Sequence, residues 1–269
     1  MEFWMLIVTN YDELRAYAKA FADGHLKLLL VCGPPGVGKS FAVRRAVGSN
    51  AAWVDGNATA FGLYCLAYQN LDSPIVLDDV DRFYRDRNGM RLLTALCQSD
   101  SGSWVSWETD ARRLRAEKIP TRYYTSSHLC LVTNSWERAG IHAEALEDRG
   151  HFVLFTPTAE EVHSEVAAWF WDQEVYDEVG RDLGPYVTHS FRTYIRASET
   201  KAAGLDWRLT LQERKHAGQE PRPAERREVR GLPPAQAAKE TKEFREVLSL
   251  KAPDVTQAIL DHLMKGREP

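Results

Sequence analysis

LKLLLVCGPPGVGKSFAVRRAV, residues 26–47, sets an apolar run against a glycine-rich loop and then a helical pattern. The run LKLLLVC reads as a strand buried on both faces of a parallel sheet. The loop, GPPGVGKS at 33–40, fits G-x-x-x-x-G-K-[ST] between strand and helix, which is the context this pattern requires. Its glycines let the backbone N–H groups of residues 36–40 turn inward around a β-phosphate, at the positive end of a helix starting near Lys39. Lys39 is placed to neutralise β- and γ-phosphate oxygens, and Ser40 to hold Mg2+. The expected nucleotide-contacting run is therefore Gly33-Pro34-Pro35-Gly36-Val37-Gly38-Lys39-Ser40-Phe41, with a nucleoside triphosphate and Mg2+ as its ligands.

A second stretch, IVLDDVD at 75–81, puts an aspartate pair at the tip of another apolar strand. Asp78, at the carboxyl end, is expected to bind Mg2+ through water, and Asp79 to orient and deprotonate an attacking water. Asp81 reads as a helix cap.

Working outward, AAWVDG (51–56), PIVLDD (74–79), SHLCLVTN (127–134) and HFVLFTP (151–157) read as further strands. Helical patterns lie between most of them: SFAVRRAV, AFGLYCLAYQN after a Thr59 cap, and RLLTALCQ. Asn10 and Glu13 form a capping box for an earlier helix that Gly24 ends. Strands alternating with helices predict an α/β fold, a doubly wound parallel five-stranded P-loop sheet. After Pro157 the text becomes three amphipathic helical stretches, a small all-helical lid. The expected division is an α/β nucleotide-binding domain at 1–157, the lid at 158–204, a charged Pro-rich linker at 205–234 and a helical tail at 235–269.

With 44% hydrophobic and 27% charged residues among 269, the chain can bury a sizeable core. A net charge of −4 excludes a globally basic nucleic-acid binder, so any DNA contact must come from a local patch. Cys32, Cys65, Cys97 and Cys130 all stand in apolar settings with no Cys-x-x-Cys pair, and read as reduced core residues. The N-terminus carries acids where a secretory signal carries basic residues, and no apolar run reaches membrane length. A cytoplasmic location without membrane contact is expected.

From residue 1 to about 204 the chain resembles the AAA+ family of ATPases, which implies ATP with Mg2+ as the cofactors. That resemblance implies roles for three more residues. Asn134, in LVTN, matches the family's sensor one, which holds the attacking water. Arg149, in EALEDRG, resembles an arginine finger that reaches the ATP site of a neighbouring subunit, implying a homo-oligomer, a hexamer or filament with ATP at its interfaces. Arg192, in HSFRTYIRA, matches the sensor-two arginine, with Arg196 one turn on as its competitor. The family usually has Asp-Glu where this chain has Asp78-Asp79. The base is one methylene short, and an offset of about 1 Å slows hydrolysis by ~10²-fold unless the loop compensates.

The longest interruption, SDSGSWVSWETDARRLRAEKIPTRYYTSS, resembles the insertion before sensor one in initiator, helicase and helicase-loader relatives. WVSWET reads as a short strand. Arg112, Arg113, Arg115 and Lys118, followed by Tyr123 and Tyr124, suit a phosphate backbone and stacked bases, although Glu108, Asp110 and Glu117 offset much of the charge. Ala60, Phe61 and Gly62 come nearest to a protein-threading pore loop but fall within a helix start, which leaves Phe61 as core. Two functional classes follow: a DNA-directed motor or switch of the replication-initiation, helicase-loading or transposition type, or a protein-remodelling chaperone that docks a protein partner through its C-terminal tail; a slow nucleotide-gated scaffold is a third.

Overall fold

The computed structural model describes residues 5–80, 83–98, 102–109, 111–136, 144–181, 183 and 190–211. Asp81, Asp110, the linker from residue 212 onward and the whole 235–269 tail lie outside the described residues.

The sheet is parallel throughout and has six strands, not five. They are β1 (Leu6–Val8), β2 (Leu28–Cys32), β3 (Ala52–Asp55), β4 (Ile75–Asp78), β7 (Leu129–Thr133) and β8 (His151–Phe155), in the order β1-β8-β2-β7-β4-β3. The unforeseen strand is β1, which pairs with β8 from Leu6↔Val153 to Val8↔Phe155. It is only three residues long, with Leu6 and Ile7 exposed, so no local pattern marks it and its strand character comes from the pairing itself.

The central strands explain why their sequence is apolar without alternation. Leu28 and Leu30 of β2, Ile75 and Leu77 of β4, and Leu129 and Leu131 of β7 face one core. Leu29 and Val31, Val76, and Cys130 and Val132 face the other. Each full burial of such a side chain stabilises by about 1.5–3 kcal/mol. The first core is closed by α3 (Ala60–Gln69) and α4 (Arg87–Leu96); the second by α1 (Tyr11–Ala22) and α2 (Lys39–Val47). Asn10 caps α1 by accepting from the Glu13 N–H at 2.9 Å, and Thr59 caps α3 by accepting from Gly62 at 3.0 Å, as their sequences predict. All four cysteines are buried and none is in a disulfide.

Between α4 and β7 the interruption folds. β5 (Ser103–Ser106) and β6 (Arg122–Thr125) form a separate antiparallel pair, and the supposed polar segment contains a short helix, α5 (Arg112–Ala116), whose Leu114 enters the first core. Tyr123 does not face solvent: it is 5% exposed and donates its hydroxyl hydrogen to the Tyr64 carbonyl at 2.7 Å. Strict alternation along β6 turns Tyr123 inward and Tyr124 outward, a period masked by the tyrosine doublet.

After α6 (Glu144–Glu147) and β8 come α7 (Ala159–Ala167), α8 (Gln173–Gly180) and α9 (Phe191–Ala202), with no strand among the described residues. Val162, Val166, Val175, Val179 and Tyr194 join the core built on α1 and α2. Residues 205–211, read as the start of a linker, are folded: Trp207 is 5% exposed and belongs to the same core. The surrounding charge hid this anchor, because Lys201 and Arg208 lie over the indole ring at 5.9 and 4.5 Å.

Candidate nucleotide site

Parallel strands deliver their last residues to one edge of the sheet, and the expected site residues collect there. β2 ends in Cys32 and turns into the glycine loop, β4 ends in Asp78, and Asn134 follows β7. The loop is held by shape as well as by sequence. A Cβ on Gly33 would lie 2.1 Å from the Phe155 carbonyl oxygen, so only glycine fits between β2 and the end of β8. Gly36 and Gly38 both adopt φ 79°, the left-handed region that glycine enters without strain. The Tyr11 hydroxyl donates to the Val37 carbonyl at 2.9 Å and ties α1 to the loop.

Lys39 is 5% exposed, and its ammonium donates to the Gly33 and Pro34 carbonyls at 2.8 and 2.7 Å and to Asn134 Oδ1 at 3.0 Å. Asn134 in turn donates from Nδ2 to Asp79 Oδ1 at 3.1 Å. Only one amide orientation serves both neighbours, so Lys39, Asn134 and Asp79 form a directed hydrogen-bonded chain. Burial lowers the Lys39 pKa to about 8, partly opposed by Cys32, Asp78 and Asp79 and reinforced by Arg192. A desolvated ammonium with its donors pointed along the loop is a strong partner for phosphate oxygens.

Ser40 donates to Asp78 Oδ1 at 2.9 Å. Burial raises the Asp78 pKa; the Ser40 bond lowers it, and Asp55 and Asp79 raise it further. A divalent cation relieves that repulsion, so a hydroxyl and a carboxylate already in contact fit Mg2+. Asp79 itself has φ 55°, a left-handed conformation at a non-glycine residue, and its N–H donates to the Val132 carbonyl at 3.0 Å. The backbone thus turns off the sheet directly after Asp78 and leaves the Asp79 carboxylate exposed beside Asn134.

Arg192 is exposed and brought to the loop: its Cδ is 3.7 Å from where a Gly36 Cβ would be. Arg196 stands one helical turn, about 5.4 Å, further along α9. Phe41 is 36% exposed and lines a cleft with Tyr11, Arg15 and Phe191. Pro35 is exposed at the loop's outer bend. Arg149 is not in this cluster. It follows α6, bonds through its N–H to the Leu146 carbonyl at 3.0 Å, and precedes His151, which pairs with Leu29 near the start of β2. It therefore lies at the opposite edge of the sheet, a strand length of roughly 13 Å from the loop of its own chain.

Three contributors were missed by sequence reasoning. Asp55 ends β3 directly beside Asp78, and its carboxylate meets Arg44 at 3.5 Å and the Trp53 indole N–H at 2.6 Å. Its signal was available, since AAWVDG ends a strand on an acid as IVLD does. Ser190 and Phe191 cover the loop, with the Phe191 N–H donating to the Gly36 carbonyl at 2.8 Å. No sequence signal announces that contact.

No protein-family model matches the sequence, and no curated protein matches it. Among solved structures, two RuvB variants from Thermotoga maritima are similar, at 12% and 13% identity and TM-scores of 0.45 and 0.46. The aligned region covers 76% and 77% of this chain and 67% and 68% of those chains. NtrX from Brucella abortus, in complex with ATP, is similar at 15% identity and a TM-score of 0.46, over 92% of this chain and 62% of that one. The fold is carried by the chain's own geometry: β2, the glycine loop and α2 run in unbroken order within a parallel sheet, the α/β P-loop arrangement that the AAA+ resemblance implies.

Proposed function

We propose that the chain is an ATP-hydrolysing AAA+ protein that works as a homo-oligomer, with DNA as its target. The observation that carries the ATPase reading is the hydrogen-bonded chain from Lys39 through Asn134 to Asp79, beside the Ser40–Asp78 pair. On that arrangement, groups suited to phosphate binding, metal binding and water activation share one edge of the sheet.

In this reading the loop amides and Lys39 bind the β- and γ-phosphates, and Ser40 and Asp78 hold Mg2+. The cation supplies charge neutralisation across the phosphate oxygens. Asn134 positions the attacking water and Asp79 accepts its proton. Arg192 approaches the γ-phosphate from α9. Arg149, at the far edge, serves a neighbouring subunit's site, which is why an oligomer belongs to the proposal.

Local basicity supports a DNA target. Arg112 and Lys118 are exposed on and just after α5; Arg115 is exposed beside them, and Arg113 is ion-paired with Glu117 at 2.7 Å. Phe61 lies in α3 with its ring 5.9 Å from that of Trp107, which disfavours a protein-threading loop. A slow nucleotide-gated scaffold remains the second reading, favoured by the short Asp79 side chain at the base position. Docking of a protein partner through the tail falls outside the described residues.

ATP binding and steady-state hydrolysis, with and without DNA, test the proposal. Lys39→Ala is expected to lose both binding and turnover, and Asp79→Asn to bind ATP while losing turnover by about 10²–10⁴-fold. A Lys39→Ala chain that binds ATP like the parent would overturn the loop assignment.

A further inference from the structure

The β5–β6 ribbon presents two opposed faces. Ser103, Val105, Tyr123 and Thr125 point inward and are buried, whereas Trp104, Ser106, Arg122 and Tyr124 point outward. The register sets Trp104 directly across from Tyr124, and Ser106 across from Arg122. Cross-strand neighbours of this kind have Cβ atoms about 5 Å apart, which brings the outward side chains into contact. The Trp104 and Tyr124 rings meet edge to face at 5.6 Å, and the Arg122 guanidinium lies over the indole at 4.8 Å. Both rings remain open, at 56% and 45% exposure. Beyond Arg122 the ribbon runs into the segment that carries α5, with Arg112 and Lys118 exposed.

We infer that this outer face is a stacking platform for single-stranded nucleic acid: Trp104 and Tyr124 receive base faces, and Arg122 meets the adjoining phosphate. The inference rests on the DNA-directed reading above and names the strand form and the residues. Charge selects this occupant. Among the described residues neither Arg122 nor Lys118 is ion-paired to a carboxylate, and of the two described acids of the segment, Glu108 and Glu117, the second is paired with Arg113; Asp110 lies outside the described residues. Area selects it too, because four outward side chains fall short of the ~800 Å² per partner of a stable protein interface, whereas a base needs one ring face. Duplex DNA hides its base faces in the stack, so the platform is specific for single strands.

The test uses the full chain with a slowly hydrolysed ATP analogue and a fluorescein-labelled oligothymidylate about 20 nucleotides long, read by anisotropy against a blunt duplex. Trp104→Ala and Tyr124→Ala are each expected to weaken oligothymidylate binding about tenfold, with Trp104→Phe staying within about threefold of the parent. Arg122→Ala is expected to reduce the slope of log affinity against log salt by about 0.7. Melting temperatures of the variants check that they fold. If both alanine variants bind like the parent while an Arg112→Ala, Lys118→Ala chain loses binding, the platform is wrong and the DNA-directed reading survives. If the parent binds the duplex as tightly as the single strand, the platform is wrong as well. If no oligonucleotide binds while ATP is still hydrolysed, the platform and the DNA target fall together and the ATPase reading stands.

Discussion

Lys39 keeps its charge where burial opposes it, with a pKa of about 8 against the ordinary 10.5. The sign of the consequence is fixed. Because the folded value is depressed, this group lowers stability at pH below 8, and the penalty fades as pH rises from 8 towards 10.5. Bound triphosphate restores the ammonium, so ATP binding is expected to take up roughly 0.7 proton near pH 8.5 and almost none near pH 6.5. Calorimetry in buffers of different ionisation enthalpy measures that proton; the same uptake at both pH values would rule out Lys39 as its source. Asp78 behaves oppositely. Its raised pKa means that the charged form costs stability at neutral pH, so Asp78→Asn is expected to raise the melting temperature without nucleotide while abolishing Mg2+-dependent turnover. At Asp79 the reach is short. Asp79→Glu is expected to raise kcat by up to ~10²-fold with ATP affinity unchanged, read in single-turnover hydrolysis.

The first turn of α9 rests directly on the phosphate loop, so the two elements respond together. Cβ atoms on Gly36 and Gly38 would come within 2.9 Å of Ser190 and 2.4 Å of Phe191, in addition to the cost of φ 79°. Gly38→Ala is expected to destabilise the fold by about 1–3 kcal/mol and to lose ATP binding. Adding Phe191→Ala relieves the collision but not the backbone strain, so recovery is partial, and a thermodynamic cycle of the single and double variants measures the share. Elements such as α1 and α3 were legible because what forms them is local: an Asn10 or Thr59 cap, an apolar spacing and a stop. The loop, Asp78 and Asn134 were legible because each follows an apolar strand. The strand Leu6–Val8, the inward turn of Tyr123, the burial of Trp207 and the seat of Phe191 on Gly38 depend on partners distant in sequence. Local pattern carries no record of those contacts.

At the scale of the whole molecule, the proposed oligomer turns on where Arg149 stands. It stands at the sheet edge where β8 begins, whereas the loop leaves the edge where β2 ends, so the two cannot meet within one parallel sheet. If Arg149 completes a neighbour's site, turnover per chain rises with protein concentration, and Arg149→Ala abolishes that rise, losing about 10³–10⁵ in rate while still binding ATP. A surface arginine with only a structural role predicts no such loss. Mixing separates the alternatives more sharply. An Arg149→Ala chain keeps an intact Lys39 loop, and a Lys39→Ala chain keeps an intact Arg149. In a shared-site oligomer the loop of the first meets the arginine of the second, and random assembly at equal amounts makes about a quarter of the interfaces complete. Two preparations that are each inactive should therefore hydrolyse ATP when combined, at about a quarter of the parental rate per interface, and lose that activity on dilution. Because neither chain can supply both groups, restored turnover could arise only across an interface, and a mixture as inactive as its components would place Arg149 outside the site altogether.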